Sequence, residues 1–116
     1  MDTNIDKYLS PMFQPVVVAH NQLIYSLEAL FRFKDQGRLS PKTIRNWEVS
    51  GYIKNIDLAM TRCIREALKT QETRFRISIN VSVRTIFDAG SEYIEAAAKL
   101  LPYTPRLIIE ITETFE

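Results

Sequence analysis

Three polar residues stand where a polar side chain is costly. Glu28 lies inside the run Tyr25-Ser26-Leu27-Glu28-Ala29-Leu30-Phe31-Arg32-Phe33. Asn80 sits in Arg76-Ile77-Ser78-Ile79-Asn80-Val81-Ser82, and Glu110 interrupts Leu107-Ile108-Ile109-Glu110-Ile111. A carboxylate facing a sheet interior is expensive unless it is paired or holds a metal. Two carboxylates and an amide oxygen are hard ligands, a set that suits Mg2+ or Mn2+ rather than Zn2+. Adjacent strands lie ~4.8 Å apart, so same-face groups on neighbouring strands can converge. A purely structural reading competes. Other arginines can neutralise Glu28, and Glu110 can pair with Arg76 or sit at a wet strand end. Arg32 shares a face with Glu28 but lies about 13 Å along the strand, too far for direct pairing.

The elements that must position these residues follow from periodicity. Residues 12–19 are valine-rich and read as a strand; His20-Asn21-Gln22 is a short break; residues 23–33 read as a second strand. So short a break favours an antiparallel hairpin. Residues 34–39, with Gly37, read as a polar loop. Ser40-Pro41 is a helix start, Ser as N-cap and Pro at the first helical position. That helix is expected to run through Val49 and stop at Ser50-Gly51. Ile56, Ala59, Met60, Cys63, Ile64, Ala67 and Leu68 recur at spacings of three and four, the apolar stripe of a long helix with Asn55 as a plausible cap. Residues 74–82 alternate with period two. Phe75, Ile77, Ile79 and Val81 point one way, and Arg76, Ser78, Asn80 and Ser82 the other. A further helix is expected from Gly90 or Ser91 to Leu101, capped by Ser91 and closed by Pro102 and Pro105. Leu107–Thr112 is a strand whose near-continuous apolar run predicts burial on both faces.

After the hairpin the order is strand, helix, strand, helix, strand. This predicts an α/β fold with a parallel sheet. Right-handed crossovers place the helices on one side. The other side is left to close as a barrel or to take more helices. Glu28, Asn80 and Glu110 all fall toward the C-terminal ends of their strands, where sites gather in parallel sheets and α/β barrels.

Bulk properties exclude several classes. The chain has 116 residues, one modest domain's worth. Fifteen basic and fourteen acidic side chains nearly cancel and are interspersed, which argues against a broad grip on a nucleic acid polymer or an anionic membrane. Cys63 is the only cysteine, so no internal disulfide and no thiolate cluster can form, in keeping with a reducing compartment. The polar start is no secretory signal, and no apolar run approaches the ~20 residues of a membrane helix. A cytoplasmic unit is expected, with residues 1–11 a polar lead-in and 12–116 the body. His20 reads as a turn residue and Cys63 as core. Trp47 and Tyr52 flank a helix end and are expected to pack. Arg74, Arg76 and Arg84 can aid phosphate binding, beside the ordinary alternatives of solvation or ion pairing.

The motifs, in order, resemble those of the EAL domain family. Glu28-Ala29-Leu30 is the family's name motif, followed by Phe31-Arg32 in its EALxR form. Phe13-Gln14-Pro15 resembles the opening strand. Ser40-Pro41, Glu48, Gly51 and Ile56-Asp57 resemble the helical segment. Asn80-Val81-Ser82 resembles Asn-x-Ser, and Glu110-Ile111-Thr112-Glu113 resembles Glu-[Ile/Leu]-Thr-Glu. The resemblance implies the N-terminal half of a TIM-like (β/α)8 barrel with an antiparallel first strand. It also implies hydrolysis of cyclic di-GMP to pGpG with two Mg2+ or Mn2+ ions. By matched motif, Glu28, Asn80 and Glu110 would be metal ligands, Arg32 would contact a substrate phosphate, Gln14 would lie near the nucleotide, and Glu113 would support the site from behind.

The chain stops just after the last motif. The family continues with Asp-Asp-Phe-Gly, a catalytic lysine, and a later glutamate and glutamine, and a full barrel takes ~250 residues. The expectation is a phosphodiesterase fragment inactive alone, which pairs with a missing C-terminal half or self-associates through its open sheet. The alternative is a non-catalytic module that binds cyclic di-GMP or a regulatory protein.

Overall fold

A valine-rich segment facing a second apolar run across a short turn has one cheap way to satisfy its backbone, and it takes it. Strands β1 (Met12–Val17) and β2 (Ile24–Leu30) pair antiparallel, with a register shift between Val16 and Val17. Pro15 cannot donate a ladder hydrogen bond, and β1 accordingly lies at a sheet edge. The structure, a computed structural model, describes residues 5–17, 20, 23–34, 40–70 and 73–113. The expected end of β1, Gly37 and Asn21-Gln22 lie outside the described residues; His20 is an exposed turn residue.

Helix α1 (Pro41–Ser50) starts where the sequence predicts. Ser40 Oγ accepts the amide of Thr43 at 3.3 Å, and Pro41 occupies the first turn. It ends on Gly51, whose φ of 86° is the left-handed conformation that glycine adopts without strain. Helix α2 (Ile53–Thr70) buries Ile56, Ala59, Met60, Ile64 and Leu68 of the expected stripe and adds Ile53, while Cys63, expected in the core, and Ala67 are only half-buried. It starts earlier than predicted. Asn55 lies inside it, its amide bonded to Tyr52 O at 2.9 Å, and is not a cap. Trp47 packs edge-on against Phe31 and Phe33 and tilted against Tyr52, as expected.

Strands β3 (Arg76–Ser82) and β4 (Leu107–Thr112) complete a four-stranded sheet of order β1-β2-β3-β4, parallel from β2 onward. The helices cover one face. Ala29, Ile77, Ile79 and Val81 meet Met60, Ile64, Leu68, Tyr93, Ala97 and Leu100 in the core.

Two further expectations fail. Helix α3 (Val83–Ala98) begins directly after β3, capped by Ser82 rather than Ser91. Ser82 Oγ accepts the amide of Arg84 at 3.1 Å, so strand end and helix cap are one residue. The break that Gly90-Ser91 suggests is real but internal, with Ala89 at φ −151°, ψ 41°. Second, β4 is not buried on both faces. It is an edge strand among the described residues, with Glu110 and Ile111 exposed. Residues 5–11, just before β1, pack onto the body. Leu9 is buried and bridges to Phe33, and Asp6 pairs with Arg62 at 2.7 Å. That pairing holds the Asp6 carboxyl below its ordinary value, and burial pushes the half-buried Cys63 thiol up.

Candidate functional site

Sheet register decides which polar groups meet. Gln14 stands directly opposite Glu28, and Asn80 is in register with Glu110. Directly opposed residues share a face, and Ile77, Ile79 and Val81 claim the helix side. Gln14, Glu28, Asn80 and Glu110 therefore project from the face that the helices leave open.

Asn80 Nδ2 donates to Glu28 Oε2 at 3.0 Å, and both residues are half-buried. The bond fixes the amide. With its NH2 on Glu28, Asn80 keeps its carbonyl oxygen as an acceptor, the atom a hard cation would take. Glu110 is exposed beside it. Among the described residues no cluster of three or more His, Cys, Asp or Glu is gathered. The three predicted ligands, Glu28, Asn80 and Glu110, are two carboxylates and one amide.

The other candidates sit further out. Arg32 lies beyond the end of β2, and its Nη1 donates to the carbonyl of Phe31 at 2.6 Å. Its backbone is held by Ser10 N donating to Arg32 O at 2.9 Å. Gln14 is exposed, and Glu113 is exposed just past β4. Arg84 is claimed elsewhere. Its Nε pairs with Asp88 at 2.7 Å and its Nη1 donates to Glu48 O at 2.9 Å.

Behind Asn80 lies a network that residue patterning does not disclose. Ser82 Oγ donates to Glu48 Oε2 at 3.0 Å, and Ser82 N donates to Asp57 Oδ2 at 3.1 Å. Thr85 Oγ1 also donates to Asp57 Oδ2. Glu48 is fully buried at 0% exposure, and its Oε1 has no partner among the described residues. Both carboxyls line a cavity of ≈ 170 Å³ that reaches Asn80 and Thr112. Burial pushes the Asp57 carboxyl up to about 6; hydrogen bonds from Thr85 and Ser82 oppose the rise, and the neighbouring Glu48 adds to it. The available signal was Asp57 itself, an acid on the stripe of α2 shared with Thr61, Ile64 and Leu68.

A family model for the EAL domain matches residues 3–116. Among solved structures, the chain is similar to the EAL enzyme Bd1971 in its cGMP-bound form, with a TM-score of 0.68 and 23% identity over 92% of this chain and 33% of that one. It is similar to the PaMucR phosphodiesterase in complex with c-di-GMP, with a TM-score of 0.63 and 25% identity over 92% of this chain and 47% of that one. Bd1971 bound to cAMP and cyclic di-GMP aligns with a TM-score of 0.62 and 24% identity. The chain thus spans a third to a half of the length of these structures. No curated protein matches it in sequence. The four-stranded sheet with its antiparallel first strand is that of part of an EAL barrel.

Proposed function

Since the chain belongs to the EAL domain family, we propose that it forms the N-terminal part of a cyclic di-GMP phosphodiesterase and contributes Glu28, Asn80 and Glu110 as metal ligands. One observation carries the reading. Asn80 Nδ2 is spent on Glu28, which leaves an amide oxygen and two carboxylates presented from adjacent strands.

Bound Mg2+ or Mn2+ would supply Lewis acidity and a water of lowered pKa near the phosphodiester. The residues of this chain do the rest of its share. Glu28 and Glu110 provide negative charge where cations collect. Asn80 sets the orientation of Glu28. Arg32 is the phosphate contact; its guanidinium turns from the Phe31 carbonyl to form a charge-assisted fork on a phosphate oxygen. Gln14, opposite Glu28, would meet the nucleotide edge. Glu113 would support the site from behind. The trio lacks a bridging carboxylate and a general base among these residues, so the isolated chain is expected to bind metal weakly and to turn over poorly.

The test combines Mn2+ titration followed by electron paramagnetic resonance with an assay for pGpG. The wild-type chain should bind Mn2+, and Glu28→Gln and Glu110→Gln should each weaken it about tenfold, the loss of one charged ligand. The pGpG signal should stay at background. Mn2+ binding indifferent to both substitutions, or robust pGpG from the pure chain, would sink the reading.

A further inference from the structure

At the opposite end of the sheet from Glu28 and Asn80, the segments entering β2, β3 and β4 meet around a groove of ≈ 550 Å³ lined by Tyr25, Arg74, Phe75, Arg76, Pro105 and Arg106. Among the described residues no carboxylate lines it. This stands out in a chain of net charge +1 with well-mixed charges. Arg74 and Arg106 are exposed, and neither has an ion-pair partner among the described residues.

The groove is also built rather than incidental. Thr104 is 5% exposed, and its Oγ1 lies 2.9 Å from Phe75 O and 3.1 Å from Arg106 O, tying the two arginine-bearing segments together. Ile77 N donates to Arg106 O at 3.0 Å, and Phe75 N donates to Thr73 Oγ1 at 3.0 Å. Arg76 is already engaged. It donates to Tyr25 O at 2.9 Å, and its guanidinium lies 4.3 Å from the centre of the Tyr25 ring. One of its donors is thus committed, while among the described residues Arg74 and Arg106 have no ion-pair partner.

We propose that this groove binds the phosphate of a nucleotide through Arg74 and Arg106, with the base against Phe75 and Tyr25. Guanidinium forks match phosphate oxygens in geometry and charge. Phe75 and Tyr25 are 38% and 45% exposed, apolar surface that a stacked base would cover. Both segments are fixed before the ligand arrives, so little ordering cost attaches to binding. The groove lies about 13 Å from Asn80 along β3, four residues at strand rise, so it is a separate site. The inference does not depend on the metal trio.

The experiment is an amide chemical-shift titration of the chain at low ionic strength with GMP, guanosine and inorganic phosphate. GMP should give saturable shifts at Tyr25, Phe75 and Arg106. Guanosine should bind about tenfold more weakly, and Arg74→Ala/Arg106→Ala should weaken GMP about tenfold or more. Both substitutions are at exposed positions, so an unchanged spectrum elsewhere verifies the fold of the variant. The proposal is overturned if the shifts map to Glu28 and Asn80 instead, or if the folded double variant binds GMP as well as wild type. Inorganic phosphate matching GMP would overturn the nucleotide assignment.

Discussion

At the scale of single residues, the placement of polar groups was legible wherever they broke a pattern. Glu28 and Glu110 interrupt apolar runs, and Asn80 alternates with isoleucine and valine, so their shared face could be read directly. The structure adds what alternation does not carry, the direct bond from Asn80 to Glu28. Glu48 was harder. It lies in a short helix with exposed residues on either side of its turn, and nothing in its neighbours foretells full burial. Asp57 now defines a pH dependence. Asp57 rises to about 6 on folding from an ordinary 3.8. Between these values the folded chain holds a proton that the unfolded chain has released. Stability therefore falls as pH rises through this window and levels off above it. The loss is at most about 3 kcal/mol, since each tenfold change in proton affinity is worth ~1.4 kcal/mol. Asp57→Asn keeps an oxygen for Ser82 and Thr85 but cannot ionise. Urea unfolding across pH 4 to 7 should show a slope in the wild type that the variant flattens; parallel profiles would refute the assignment.

Elements were legible where caps and periods agreed. Ser40-Pro41 and Gly51 bound α1 as written, and the stripe of α2 is the one found apart from the half-buried Cys63 and Ala67. The start of α3 was missed for a physical reason. Ser82 serves as the last residue of a strand and as a helix cap at once, and no loop residues separate the two. The two-sided burial expected for β4 was inferred from composition, which cannot show that a strand lies at an edge. Gly51 offers the sharpest test at this scale. A Cβ there would lie 2.9 Å from an Arg84 guanidinium nitrogen, and that side chain is pinned by Asp88 and the Glu48 carbonyl. Strain at φ 86° adds to the clash. Gly51→Ala should cost about 1–3 kcal/mol, measured as a lower urea midpoint with an unchanged slope. An unaffected midpoint would mean that the turn is free to relax.

For the whole molecule, the α/β order and the one-sided helical layer followed from the sequence because right-handed crossovers leave few choices. How far β4 is covered did not. Its outer edge is unpaired among the described residues, and Ile111 is 57% exposed there. Open apolar strands recruit partners. Sedimentation velocity should show concentration-dependent association of the chain, and Ile111→Lys should reduce it. A monomer at all concentrations would contradict this.

Ser82 gives the assembly a last property. It ends β3, caps α3, and is held by Glu48 from α1 and Asp57 from α2. Asn80 stands two residues away on the same strand. That strand end cannot shift alone, because any displacement must drag three helices with it. The stiffness of the carboxylate–amide trio is therefore set from behind the sheet, by the helical layer acting as one body.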